Sequence, residues 1–301
     1  MSTGEKIEIP SVKLLDRHRD VVNKLWVVSR GTRVEPGWHY LLDLVWIVEN
    51  LGPVDGKRIL DAGAGMGLMQ WYLIEQGADE VISADRGSRV DLPLVMRSRY
   101  KVRGLRSGDL GPAWKVLKGN VARASGFGKV VYFLRGLVAL VMIVLPKRFS
   151  GKVLIYNQDL TNMPEIPDNS LDAVVAVSAL EHNTPEGLQK VVAEIMRKIK
   201  PGGRLIATLC AGKDKDWFHG PSQGWCYTDS TLRRLFELPD DTTSNYAHYD
   251  ELLDSLRDCA ELKDKLAKIY FQSGDNGMPW GQWDPQYQPV GVCKIKPVVQ
   301  G

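Results

Sequence analysis

Asp61-Ala62-Gly63-Ala64-Gly65-Met66-Gly67 stands between a strand-like run, Arg58-Ile59-Leu60, and a helix-like run, Leu68 to Gln76, that Gly77 closes. Glycines at such a junction let the backbone bend and let a bound group approach the main chain. The first turn of the helix adds free N–H groups. Three acids sit at comparable points. Asp61 lies two residues before the first glycine, where a carboxylate can orient an amino-acid ammonium group. Asp85 ends the next run, Val81-Ile82-Ser83-Ala84, where it can take both hydroxyls of a ribose in charge-assisted hydrogen bonds. Asp159 follows a third run, Val153 to Tyr156, where an acid can accept from an adenine amino group. The dinucleotide fingerprint wants Gly or Ala where Leu68 stands, so a nicotinamide dinucleotide is the poorer ligand. The same glycines also suit a tight turn with no ligand, and Asp159 also suits a loop cap. Asp168 and Asp172 read as turn residues.

The elements that must position these residues follow from periodicity. Residues 1–12 read as a loose tail. Residues 13–51 read as helix in two pieces parted by Pro36-Gly37, because apolar positions recur at helical intervals. Leu171 to Val177 is a fourth strand, rich in Val and Ala without alternation, as in a strand covered on both faces. Thr184 to Lys200 reads as a helix, Pro201-Gly202-Gly203 as a turn and Arg204 to Leu209 as a fifth strand. Strands alternating with helices imply a doubly wound, mostly parallel sheet in an α/β fold. Beyond Cys210 the pattern gives a charged helix from Tyr249 to Phe271, a Gly/Pro/Trp-rich loop, and Val290 to Ile295 as an edge strand.

At 301 residues the chain is long enough for a sizeable core, and 44% hydrophobic content excludes wholesale disorder. The net charge of +3 hides an asymmetry: residues 86–152 hold 15 Lys/Arg and only Asp91 and Asp109 as acids. Cys210, Cys226, Cys259 and Cys293 form no Cys-x-x-Cys pair and have no His at zinc spacing, so reduced thiols and no metal are expected. Met1 to Pro10 has no apolar h-region, so the expected location is the cytoplasm, with peripheral attachment to the inner face of a membrane left open.

From residue 57 to 210, about half the chain, the order and spacing of these motifs resemble the class I S-adenosylmethionine-dependent methyltransferases, in particular the broad small-molecule group. Asp61 to Gly67 matches the first motif. Asp159-Leu160 through Pro167 to Asp172 matches the segment before the fourth strand. Ser178-Ala179-Leu180-Glu181-His182 and Lys200-Pro201-Gly202-Gly203 match the two later landmarks. The gap after Asp85 is far longer than these enzymes usually have. The resemblance implies a seven-stranded Rossmann-like sheet with S-adenosylmethionine as cofactor, held by Asp61, Ala62, Gly63, Ala64, Gly65, Gly67, Asp85, Asp159, Leu160 and Ser178. It implies methyl transfer to a small-molecule or lipid- or sugar-linked acceptor, with oxygen as the expected atom. The whole tail also resembles methyltransferases found with bacterial surface-polysaccharide genes. His182, just past the fourth strand, is the candidate base for a hydroxyl acceptor. Glu181 is read as a structural or cofactor-side residue, and His39 and His219 are further candidate bases. The domain reading is a helical cap over 1–55 and a methyltransferase domain over 56–301, with an insertion at 86–152 and a substrate-side region at 211–289. An RNA methyltransferase docking through the basic insertion, and a cofactor-binding regulator without turnover, are the rival readings. Ser178-Ala179-Leu180-Glu181 replaces the Asp/Asn-Pro-Pro-aromatic of base-amine enzymes, and no Cys follows a Pro as in cytosine-C5 enzymes.

Val130 to Pro146 is an apolar run of 17 residues interrupted by Arg135 and flanked by Lys129, Lys147 and Arg148. It is short for a span. A buried helix covering the sheet is the favoured reading, and contact with an anionic membrane surface the other. The aromatic tail, Trp217, Trp225, Tyr227, Trp280, Trp283 and Tyr287, suits a hydrophobic lid or a stacking face. The loop Gly274 to Gly281 is expected to border the substrate pocket.

Overall fold

The computed structural model describes residues 4–267 and 282–298. Its strands are β1 (Lys6–Glu8), β2 (Arg58–Ala62), β3 (Glu80–Asp85), β4 (Lys101–Gly104), β5 (Lys152–Asn157), β6 (Leu171–Val177), β7 (Ile199–Ala211), β8 (Trp217–His219), β9 (Gly224–Tyr227), β10 (Thr243–Ser244) and β11 (Gln288–Ile295). Its helices are α1 (Lys13–Arg17), α2 (Arg19–Thr32), α3 (Tyr40–Leu51), α4 (Met69–Glu75), α5 (Leu94–Arg99), α6 (Ala113–Arg123), α7 (Gly128–Val144), α8 (Pro185–Lys198), α9 (Asp229–Leu235), α10 (Tyr249–Arg257) and α11 (Ala260–Asp264).

One sheet runs in the order β10-β1-β11-β7-β6-β2-β3-β5-β4, with β9 joined to β7 and β8 to β9. The neighbours from β7 through β4 are all parallel. In β2, β3, β5 and β6 the apolar residues are buried without alternation because helices cover both faces, whereas the edge strand β4 alternates exposed and half-buried positions. The chain builds outward from β2 through β3, then returns to β6 and builds the other way. That reversal opens a crevice at the carboxyl ends of β2 and β6, the place where such sheets take ligands. Helix α8 shows the local logic. Thr184 caps it by accepting from the Gly187 N–H at 3.1 Å, Pro185 opens it, and Arg197 and Lys198 close it against the helix dipole.

The α/β class and the mostly parallel sheet agree with the sequence reading; several details do not. The sheet has eleven described strands rather than seven. Residues 6–8 are no loose tail but a strand antiparallel to β11. Strand β11 is therefore interior, between β1 and β7, and not an edge. Ile7, Ile9, Leu14, Leu15 and Leu25 share one buried core with the sheet, so the cap and the sheet are packed as a single body. The charged helix breaks into α10 and α11 at Asp258-Cys259. Within the basic segment, β4 adds an unforeseen parallel edge strand beside β5. Helix α7 is not buried: Gly136 is its one buried residue.

Candidate active site

Strand β2 delivers Asp61 to the crevice, and the chain then turns at Gly63 with φ +73°. A Cβ there would stand 2.4 Å from the Ala179 Cβ, so the turn and the end of β6 come together only with glycine at 63. The Gly65 N–H donates to Asp85 Oδ2 at 2.8 Å, and the Gly87 N–H to Asp85 Oδ1 at 2.6 Å. The carboxylate at the end of β3 thereby anchors the glycine turn. Ser178, at φ +44°, holds a backbone conformation few L-residues adopt, at the carboxyl end of β6. Its hydroxyl donates to Glu181 Oε1 at 2.5 Å, and Glu181 is buried. Burial pushes the Glu181 carboxyl up.

Two cavities, of about 320 and 310 Å³, meet at Gly63 and Ser178, which line both. The first carries Asp61, Ala64, Gly65 and Gly67, with Tyr40 and Leu44 of α3 as part of its outer wall. The second carries Asp85, Asp159, Leu160 and His182. Of the cofactor residues expected from sequence, Ala62 alone lies in neither wall, being buried within β2, and the further candidates Glu181, His39 and His219 also line neither cavity. Asp159 Oδ1 accepts from the Thr161 N–H at 2.8 Å and from its hydroxyl at 2.6 Å. Those bonds hold its carboxyl below the usual range. Asp168 pairs with Arg197 and Lys198, and Asp172 with Lys200, so both are structural.

Asp61 is 1% exposed, and its Oδ2 has no hydrogen-bond partner among the described residues. Burial pushes its carboxyl up to about 7, while Arg89 and the Gln70 N–H pull it down. A buried acceptor left unpaired is costly. In the wall of a cavity it asks for a cationic donor such as an ammonium group. With the close glycine turn and the acids of the second cavity, these residues fit an amino acid joined to a nucleoside.

Arg89 was not singled out by sequence. It is buried and donates to the carbonyls of Ser83 at 2.6 Å and Tyr156 at 3.1 Å, fastening the ends of β3 and β5. Its position four residues past Asp85 is the only local signal. His39 and Asp43 form a second hidden feature. His39 Nδ1 and Asp43 Oδ2 are 2.6 Å apart, 1% and 0% exposed, while His39 Nε2 and Asp43 Oδ1 have no partner among the described residues. Burial raises the Asp43 carboxyl and His39 opposes it. His182 is exposed, with Nδ1 3.0 Å from the Gln223 carbonyl oxygen. His219 Nδ1 instead accepts from the Ser222 N–H at 3.2 Å, and burial lowers its pKa. Trp38, His39, His219, Trp283 and Tyr287 pack as an edge-to-face aromatic cluster. Trp280 and the loop 274–281 lie outside the described residues.

Fold and site resemble those of the class I S-adenosylmethionine-dependent methyltransferases, and S-adenosylmethionine is the cofactor these residues fit. Residues 140–207 match the methyltransferase domain family. The chain is 30% identical over 156 residues to the demethylmenaquinone methyltransferase of Renibacterium salmoninarum, covering 48% of this chain and 60% of that protein. It thus spans less than two thirds of the curated relative it matches. Among solved structures, it is similar to 1,6-didemethyltoxoflavin-N1-methyltransferase of Burkholderia thailandensis, with TM-score 0.46, 14% identity and coverage of 94% of this chain and 90% of that one. It is also similar to geranyl diphosphate C-methyltransferase of Streptomyces coelicolor, with TM-score 0.46, 11% identity and coverage of 89% and 86%.

Proposed function

We propose that the chain transfers a methyl group from S-adenosylmethionine to a small-molecule or lipid- or sugar-linked acceptor, at oxygen. The carrying observation is the buried Asp61 oxygen, without a hydrogen-bond partner among the described residues, in a glycine-walled cavity whose neighbouring lobe holds Asp85 and Asp159. Asp61 suits the ammonium end, Asp85 the ribose hydroxyls and Asp159 the adenine amine. The matched relative is named for demethylmenaquinone, which agrees with a small-molecule acceptor.

The cofactor, when bound, supplies a methyl group already activated on a sulfonium. The remaining work belongs to the chain: hold the acceptor atom in line, about 3–3.5 Å from the methyl carbon, and take its proton. His182 is assigned as base. Its Nδ1 faces a carbonyl oxygen, so the neutral ring carries its proton there and leaves Nε2 as acceptor. The His39–Asp43 pair favours a second assignment, because Asp43 fixes the ring and His39 Nε2 has no partner among the described residues. Turnover separates the two. The base, replaced by Ala, loses about 100-fold or more in kcat with cofactor affinity kept. Near-normal kcat in His182→Ala retires His182.

Incubation with isotope-labelled methyl donor and fractionated extract tests the reaction. Label in small-molecule, lipid or saccharide fractions supports it. Label in RNA moves the assignment to the nucleic-acid reading. Binding without label in any fraction leaves a cofactor-binding regulator.

A further inference from the structure

Helix α7 is apolar around nearly its whole circumference, yet only one strip of it is covered. Ala139, Leu140 and Ile143 pack onto Leu94 of α5 and onto Val116 and Leu117 of α6. Gly136 allows the close approach, since a Cβ there would sit 2.1 Å from Leu117 Cδ1. Of sixteen large apolar side chains exposed among the described residues, eleven lie between Phe127 and Leu145. Val130, Leu134, Val138 and Val141 recur at steps of three and four on the side away from Gly136. Arg135 stands at the flank of that stripe, where its head can reach past the apolar surface.

The charge around the stripe has one sign. From Leu110 to Gln158 there are eight Lys/Arg and no Asp or Glu. A cavity of about 730 Å³ opens between the carboxyl end of α7 and the β4 edge. Lys101, Arg103, Lys147 and Lys152 are in its walls against one acid, Asp79, and Val144 and Leu145 form its lip. Lys152 is paired with Glu80 at 2.8 Å. Lys101 and Lys147 donate only to the backbone carbonyls of Ser150 and Ser98, both at 2.9 Å, apart from a contact of Lys147 with the Met142 carbonyl.

An apolar stripe beside a basic recess matches the boundary of an anionic bilayer, with acyl chains below and phosphates above. Among the described residues no helix is long and apolar enough to cross a membrane. We propose that α6 and α7 dock the protein onto the surface of an anionic phospholipid bilayer. Helix α7 lies in the interface with Leu134, Val138 and Val141 in the acyl boundary, and Lys101, Arg103 and Lys147 meet the headgroup phosphates. Trp114, exposed on α6 beside Lys115 and Lys118, sits at headgroup depth.

The test is flotation of the full chain, without methyl donor, on vesicles of phosphatidylcholine alone or of equal parts phosphatidylcholine and phosphatidylglycerol. Binding is therefore read independently of methyl transfer. The chain should float with the mixed vesicles and bind neutral ones at least about tenfold more weakly, and added salt should release it. Leu134→Glu/Val138→Glu and Lys101→Glu/Arg103→Glu should each cut binding about tenfold or more with the melting temperature kept, because these positions are exposed. Equal binding to neutral vesicles, or binding that survives both double variants, overturns the proposal. So does a dimer dissolved by Leu134→Glu/Val138→Glu in a chain that floats with neither vesicle, since the stripe would then be covered by a second copy.

Discussion

Asp61 carries the sharpest consequence at the scale of single residues. Its folded pKa of about 7 stands above the ordinary 3.8, so the folded chain holds that proton more tightly than the unfolded one. Its contribution to stability therefore falls as pH rises from about 3.8 to 7. A bound ammonium favours the carboxylate. Cofactor affinity should accordingly rise about tenfold per pH unit below 7 and level off there, with a proton released on binding. Calorimetric titration across that range checks it, and a flat profile would contradict the ammonium assignment. Asp85→Ala removes the anchor of Gly65 and Gly87 together with the ribose partner. Affinity should drop about 50-fold or more, and unchanged affinity refutes the ribose assignment. Asp61, Asp85 and Asp159 were legible because each sits at a strand end, where position in sequence fixes position in the crevice. Arg89 was not, because its work is to reach two carbonyls on different strands. His39 was legible as a candidate base, but its pairing with Asp43, and the burial that leaves both without other partners among the described residues, belong to the packed structure.

Among the elements, β11 shows why sequence misplaces edges. Its pattern gives a strand, but whether a neighbour pairs on each side depends on residues 6–8, which are too few to show a period. Trp46 locks that corner. Its ring lies on Gly291, where a Cβ would come within 2.3 Å of Cη2, and its Nε1–H donates to Glu8 at 2.9 Å. Gly291→Ala should cost about 2–3 kcal/mol by driving α3 off β11, read as a lower midpoint in denaturant titration. A midpoint within error of the wild type would show that the contact yields freely. Helix α7 was legible as a helix but not as an exposed one. The buried reading assumed that an apolar run must cover the sheet, whereas α5 and α6 already take the one strip it offers.

For the whole molecule, the parallel strands with helices on both faces were legible from alternating runs and glycine turns, because those signals are local, whereas the order of the strands was not. The extra strands β1, β4 and β10 were not, since strands this short owe their existence to the edges they join. The basic residues from Arg97 to Lys152 gather about the β4 edge of the sheet, while Asp61, Asp85 and Asp159, with Arg86 and Arg89 beside them, stand at the carboxyl ends of its centre. The molecule thus separates a surface suited to anions from a crevice suited to a cationic nucleoside amino acid. The property on which the rest depends is that this crevice takes S-adenosylmethionine. Titration calorimetry of the full chain with S-adenosylmethionine asks the question directly. One molecule should bind per chain, more tightly at pH 7 than at pH 6, and about 50-fold or more weaker in Asp85→Ala; no saturable heat in the wild-type chain, at any concentration reached, would contradict it.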